Sequence, residues 1–106
     1  MVKQYDIYWI SLDPTKGSEI NKTRPGVVIS PDDSNKFLNT VIIAPLTSTF
    51  KNFPMRVEVS LNGKKGQVAL DQIRSIDKMR LLNKYGTLNS KEIKNLRRIL
   101  REYLTE

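Results

Sequence analysis

The 106-residue chain carries 18 basic against 11 acidic residues, a formal charge of +7. Its length holds one domain around one core, and a domain this basic is expected to bind polyanions by displacing their counterions, with nucleic acid the first candidate. Cysteine and histidine are both absent. This excludes a disulfide framework, thiol chemistry, Ser-His-Asp hydrolysis, paired-imidazole RNA cleavage and most zinc sites. Acid–base work then falls to Asp, Glu, Lys, Arg, Tyr or hydroxyl groups.

The amino terminus enters directly on strand-like sequence. It has no basic stretch leading into a long apolar one, and no apolar window approaches about 18 residues, which predicts a cytosolic protein without a membrane span. Tyr5–Leu12 is rich in β-formers and apolar on both alternating sets, so both faces of that strand are expected to be covered. Asp13–Gly17 reads as a turn and Ser18–Thr23 as a polar loop, followed by Pro25 and a strand over Gly26–Ser30. Pro31–Ser34 breaks that strand, and Ser34–Leu38 suits a short helical turn.

Thr40–Ala44 is the next strand, running out through Pro45 to Thr47, and Met55–Leu61 alternates as a strand wet on one side does. Asn62-Gly63 signals a tight antiparallel turn with Lys64 and Lys65 at its tip. Gly66–Leu70 and Gln72–Ile76 follow as two short strands or one bent one. The period then changes. Asn89 with Glu92 forms a capping box, with Leu88 and Ile93 as a hydrophobic staple. Ile93, Leu96, Ile99, Leu100, Tyr103 and Leu104 make one apolar stripe at helical spacing, expected to pack on the core. Lys91, Lys94, Arg97, Arg98 and Arg101 are read as its solvated face. Short strands at close spacing with one terminal helix predict a single domain over 1–106, mainly β with α, built as a small, strongly curved sheet or barrel.

Three polar segments interrupt the strands and could share one rim of such a barrel. The first, Gly17–Pro25, offers Ser18, Glu19, Lys22 and Arg24, the last stiffened by Pro25; an ordinary solvated loop with a surface ion pair is the alternative. The second, Thr47–Pro54, offers hydroxyls at Thr47, Ser48 and Thr49 for a phosphate. Phe50 and Phe53, beside Lys51 and Asn52, would form a stacking surface for unpaired bases unless they fold back onto the core. The third, Asp71–Lys78, sets Asp71, Gln72 and Arg74 among apolar positions, as a half-buried strand with local charge pairing also would.

Asp13-Pro14-Thr15-Lys16-Gly17-Ser18-Glu19, with Arg24-Pro25 after four intervening residues, resembles the signature of the MazF/PemK toxins. Thr47–Pro54 follows the third strand as in that family, and Asp71–Asp77 is similar to its later block. The resemblance spans roughly residues 4 to 82 in order. It implies an SH3-like barrel with a carboxyl-terminal helix, paired into a homodimer with RNA in grooves along the interface. The implied activity is a metal-independent endoribonuclease that needs no cofactor. It would cleave single-stranded mRNA through the substrate's own 2′-hydroxyl, leaving a 2′,3′-cyclic phosphate and a 5′-hydroxyl.

On that reading Arg24 grips the non-bridging oxygens as charge grows and can protonate the leaving oxygen. Thr47 positions the phosphate, and Glu19 is the candidate base. Ser18, Lys22, Ser48, Thr49, Phe50, Lys51, Phe53, Asp71, Gln72 and Arg74 are the substrate-binding candidates. Asp71 is the rival base; relatives that use it pair it with an arginine aligned to Ala69 here, a partner this chain lacks at that position. The first loop also departs from the family, with Ile20-Asn21-Lys22-Thr23 where glycine is common. The implied partners are an acidic MazE-like antitoxin and, for the antitoxin complex, promoter DNA. Two other functions stay open. One is a gyrase-poisoning toxin of the same fold, which depends on a tryptophan near the carboxyl end, whereas the single tryptophan here is Trp9. The other is a non-catalytic RNA-binding barrel.

Overall fold

Strand β1 (Asp6–Ser11) lies between two antiparallel partners, β2 (Thr23–Val28) and β7 (Leu81–Thr87), in the computed structural model, which describes residues 1–12 and 23–105. The apolar character of both its alternating sets has a direct cause. Ile7 is buried in one cluster with Val27, Ala44, Leu46, Val57, Val59, Val68, Leu70 and Leu96. Ile10 is buried in a second cluster with Val28, Val41, Ile43 and Ile76. The sheet is thus covered on both sides, which a strictly alternating pattern would not allow.

A short helix α1 (Asp32–Phe37) leads from β2 to the long strand β3 (Thr40–Thr47). This strand is shared along its length. Its first half pairs with β6 (Arg74–Asp77), and its last two residues, Leu46 and Thr47, pair with Val68 and Gln67 of β5 (Lys64–Ala69). β4 (Arg56–Leu61) adds to β5 as a hairpin. Asn62 and Gly63 turn it with φ of 51° and 79°, both left-handed as a two-residue hairpin of this twist requires. Among the described residues the path β4-β5-β3-β2-β1-β7, with β6 beside β3, is one curled antiparallel sheet of barrel form, closed off by helix α2 (Ser90–Thr105).

The helix begins as its local sequence requires. The Glu92 N–H donates to Asn89 Oδ1 at 2.8 Å and the Asn89 N–H donates to Glu92 Oε1 at 3.0 Å. Glu92 Oε2 also accepts the Ser60 N–H at 2.8 Å, which fastens the start of α2 to β4. Leu96 is fully buried in the larger cluster, worth about 1.5–3 kcal/mol.

The structure departs from the sequence expectations in four places. β2 starts at Thr23, so Arg24 and Pro25 belong to a strand and not to a loop. Lys64 and Lys65 lie in β5, past the turn rather than at its tip. β7 was not foreseen, because an edge strand reading Leu-Leu-Asn-Lys-Tyr-Gly-Thr is mostly solvent-facing and carries no alternation. The apolar stripe of α2 packs through Ile93, Leu96, Ile99 and Leu100, but Tyr103 and Leu104 in its last turn are exposed.

Candidate nucleic-acid interface

Sheet register brings the main site residues together. Gly26, Val27 and Val28 of β2 pair with Pro45, Ala44 and Ile43 of β3. Continuing that register two residues sets Arg24 level with Thr47, at the same end of the sheet. The proline that follows Arg24 holds it extended and sits opposite Trp9 on β1. The Thr47 hydroxyl accepts the Thr49 N–H at 3.1 Å, so its own proton remains available to a ligand. Gly66 of β5 lets the strands close here: a Cβ on it would stand 2.7 Å from Leu46 Cδ2 and 3.3 Å from the Thr47 carbonyl oxygen.

Arg24, Thr47 and Thr49 form a wall between two concavities. The larger, about 440 Å³, is completed by Ser48, Lys64, Lys65, Leu46, Leu61, Trp9 and Tyr85. Trp9 and Tyr85 stack nearly parallel, with ring centroids 5.1 Å apart and planes 12° apart. The smaller, about 230 Å³, is completed by Lys51, Arg56, Gln72, Pro45 and Ala69. Buried Gln67, opposite Thr47 on β5, pins the loop above it. Its amide accepts the Lys51 N–H at 3.0 Å and donates to the Lys51 carbonyl at 3.1 Å.

Arg56 and Asp71 make a two-pronged ion pair, Nε to Oδ1 at 2.7 Å and Nη2 to Oδ2 at 3.1 Å, with side-chain exposures of 6% and 23%. The Phe53 ring lies 5.3 Å from the same guanidinium. The hydrogen bonds from Arg56 hold the Asp71 carboxyl below the usual carboxylate range, against the opposing pull of burial. The same bonds push Arg56 up. The arginine of the family pattern is absent at Ala69, but Arg56 stands opposite Ala69 across the β4–β5 ladder and reaches Asp71 from the neighbouring strand. Both oxygens of the Asp71 carboxylate are thus engaged by Arg56.

Of the other residues singled out in sequence, Ser48 lines the larger concavity and Lys51 and Gln72 the smaller. Phe50 and Phe53 are half exposed and line neither, and one face of Phe53 is taken by Arg56. Arg74, on β6 opposite Ile43, lines neither concavity. Ser18, Glu19 and Lys22 lie outside the described residues. Sequence reasoning passed over Trp9, Tyr85, Arg56, Lys64 and Lys65. Trp9, on a strand whose two faces are expected to be covered, is 39% exposed, and Tyr85 belongs to β7, which carries no alternation in sequence. Among the described residues no three acidic side chains gather as a metal site, and no helix is long and apolar enough to cross a membrane.

Cations, hydroxyls and a stacked aromatic pair converging on one open groove define a surface suited to an extended, flexible polyanion bearing flat rings, which is the chemistry of single-stranded nucleic acid. The chain belongs to the PemK-like, MazF-like toxins of type II toxin-antitoxin systems, matching that family over residues 3–104. It is 35% identical over 102 residues to the Endoribonuclease MazF of Staphylococcus saprophyticus, covering 91% of this chain and 85% of that protein. Among solved structures it is similar to a MazE–MazF crystal structure from Deinococcus radiodurans, with a TM-score of 0.84, 26% identity and coverage of 97% and 95% of the two chains. A mycobacterial endoribonuclease in complex with its cognate antitoxin shares the fold, with a TM-score of 0.83 at 20% identity over 98% and 95% of the chains.

Proposed function

We propose that the protein is a sequence-specific endoribonuclease toxin that cuts single-stranded mRNA in the cytoplasm, stops translation and is neutralised by an acidic antitoxin. The observation that carries this reading is that Arg24 and Thr47 share the wall of a groove that also holds a stacked aromatic pair. A phosphodiester at that wall meets a guanidinium fork and a hydroxyl, and a base beside it meets Trp9, Tyr85 and apolar side chains.

The reaction needs no group beyond the RNA and the chain. The substrate's 2′-oxygen attacks the adjacent phosphorus as a base removes its proton, and the 5′-oxygen of the next nucleotide leaves with a proton. The ends are a 2′,3′-cyclic phosphate and a 5′-hydroxyl. In this reading Arg24 stabilises the charge that grows on the non-bridging oxygens and serves as proton donor to the leaving oxygen. Thr47 orients the phosphate. The clamped state of Asp71 supports Glu19 as the base.

A second copy completes the assembly in this reading. Its groove and the exposed apolar surface beside it suit an acidic, disordered antitoxin segment that folds along the cations and competes with RNA, and the antitoxin-bound relatives support such a partner. Promoter DNA is the further ligand proposed for the toxin–antitoxin complex.

The deciding experiment incubates purified protein with a long single-stranded RNA in excess EDTA and maps the ends. Cuts at a recurring short motif, with cyclic phosphate and 5′-hydroxyl termini, are expected. Binding without cleavage across RNAs covering all short motifs would leave a non-catalytic RNA-binding barrel. Loss of supercoiling activity by purified gyrase in the presence of the protein would instead favour the gyrase-poisoning reading.

A further inference from the structure

The wall of Arg24, Thr47 and Thr49 faces two spaces of different chemistry, and a chain of nucleotides lying across it must occupy both. The larger space holds the aromatic pair and aliphatic side chains and suits a base. The smaller, at about 230 Å³, is below the usual range of pockets for whole small molecules. Three cations, Arg24, Lys51 and Arg56, line it with one threonine pair and Gln72, and no carboxylate is among its described lining residues. We infer that this smaller concavity is a second phosphate site, which holds the phosphodiester next to the scissile one through Arg56 and Lys51. The inference deepens the nuclease reading and rests on it.

Arg56 is built for such a task. Its side chain is 6% exposed, and its orientation is set by Asp71 on one edge and by Phe53. No freedom is left to lose when a ligand arrives, so a hydrogen bond formed there avoids the ordering cost a surface arginine carries. Asp71 uses Nε and Nη2 and leaves Nη1 for a further acceptor. The same carboxylate neutralises Arg56 at a distance. The attraction that brings an anion in therefore comes from Arg24 and Lys51, and Arg56 contributes a fixed donor once it is there. Burying an ion pair does little for stability by itself, since desolvation cancels most of the Coulombic gain. A nearly buried guanidinium at the edge of a cationic hollow is better explained by a ligand.

The test uses the intact protein and a short oligonucleotide carrying its mapped cut site, made uncleavable by 2′-deoxy substitution at the attacking position. Single methylphosphonates, which remove one phosphate charge at a time, are scanned along it, and affinity is read by fluorescence anisotropy. Lys51→Gln and Arg56→Gln are each expected to weaken the unmodified oligonucleotide about tenfold, the scale of one charge-assisted hydrogen bond. Neither should weaken further the oligonucleotide that is neutral at the phosphate beside the cut, while both should still weaken those neutral elsewhere. Lys51 is exposed and carries the test alone if Arg56→Gln fails to fold on thermal denaturation. Equal losses on every phosphonate, or no loss, would overturn the second phosphate site in a protein that still cuts RNA. A protein that cuts no RNA overturns the nuclease reading and this inference together, and end mapping separates the two failures.

Discussion

The chain has two strongly basic surfaces, and they are built in opposite ways. Around the groove, Arg24, Lys51, Arg56, Lys64 and Lys65 come from β2, β4, β5 and one loop and converge on two adjoining concavities. On α2, Lys91, Lys94, Arg97, Arg98 and Arg101 come from a single helix and line two concavities, of about 600 and 650 Å³, that they share with Glu58, Glu92 and Glu102. Arg98 is engaged by Glu102 at 3.3 Å and Asn95 at 2.6 Å. Both raise the net charge. Only the first gathers its donors from several strands with no carboxylate among its described lining residues, and a charge held in that way can do work that a paired or solvated charge cannot.

The sharpest way to break this contrast is to remove the wall. Arg24→Ala is expected to lower the cleavage rate about 10³-fold and Thr47→Ala at least about 10²-fold, the scale of lost transition-state donors. Thermal denaturation should be unchanged for Arg24→Ala, because its side chain supports no core. Wild-type initial rates on a fixed RNA for either variant would refute their assignment.

On the helix side the expected effects are inverted. Leu96→Ala empties a fully buried site under α2 and should cost about 3 kcal/mol in urea unfolding, while the cleavage rate at a temperature well below the transition stays near that of the wild type. Asp71→Asn should cost about 2 kcal/mol at neutral pH, less than a fully buried pair because Asp71 is partly exposed. The sign of its pH dependence follows from the lowered carboxyl. The stabilisation is complete above the unfolded value of about 3.9 and is lost as pH falls through the lower folded value. Urea unfolding from pH 7 down to pH 2 should therefore show a steeper acid loss in the wild type than in Asp71→Asn. The smallest effect is expected from Lys94→Gln, Arg97→Gln and Arg101→Gln combined, less than about twofold on cleavage of a short RNA, since solvated phosphate contacts act only through screened attraction. A loss comparable to that of Arg24→Ala would erase the distinction between the two surfaces.

How far the sequence could be read depended on the range of the interaction concerned. The start of α2 was legible because Asn89 and Glu92 are three residues apart and satisfy each other. The Asn62-Gly63 turn was legible because left-handed φ is a property of those two residues. The two covered faces of β1 showed in its composition. β7 was not legible: a polar edge strand owes its shape to β1, with which it pairs through two shifts of register. The partner of Asp71 was missed for a related reason. Reading along β5 finds Ala69 where an arginine was sought, and the guanidinium instead comes from the strand beside it.

The sequence by itself determined the basic charge, the local starts and turns and the absence of histidine and thiol chemistry, which follow from composition or from groups a few residues apart. Its resemblance to a known family singled out Arg24 and Thr47. Tertiary structure alone decided that Arg24 stands level with Thr47, that Trp9 meets Tyr85 across the sheet, and that Arg56 is locked on Asp71. Strand register and sheet curvature set those distances, and both arise from burying the two apolar clusters at once, a condition that no local stretch of the chain contains.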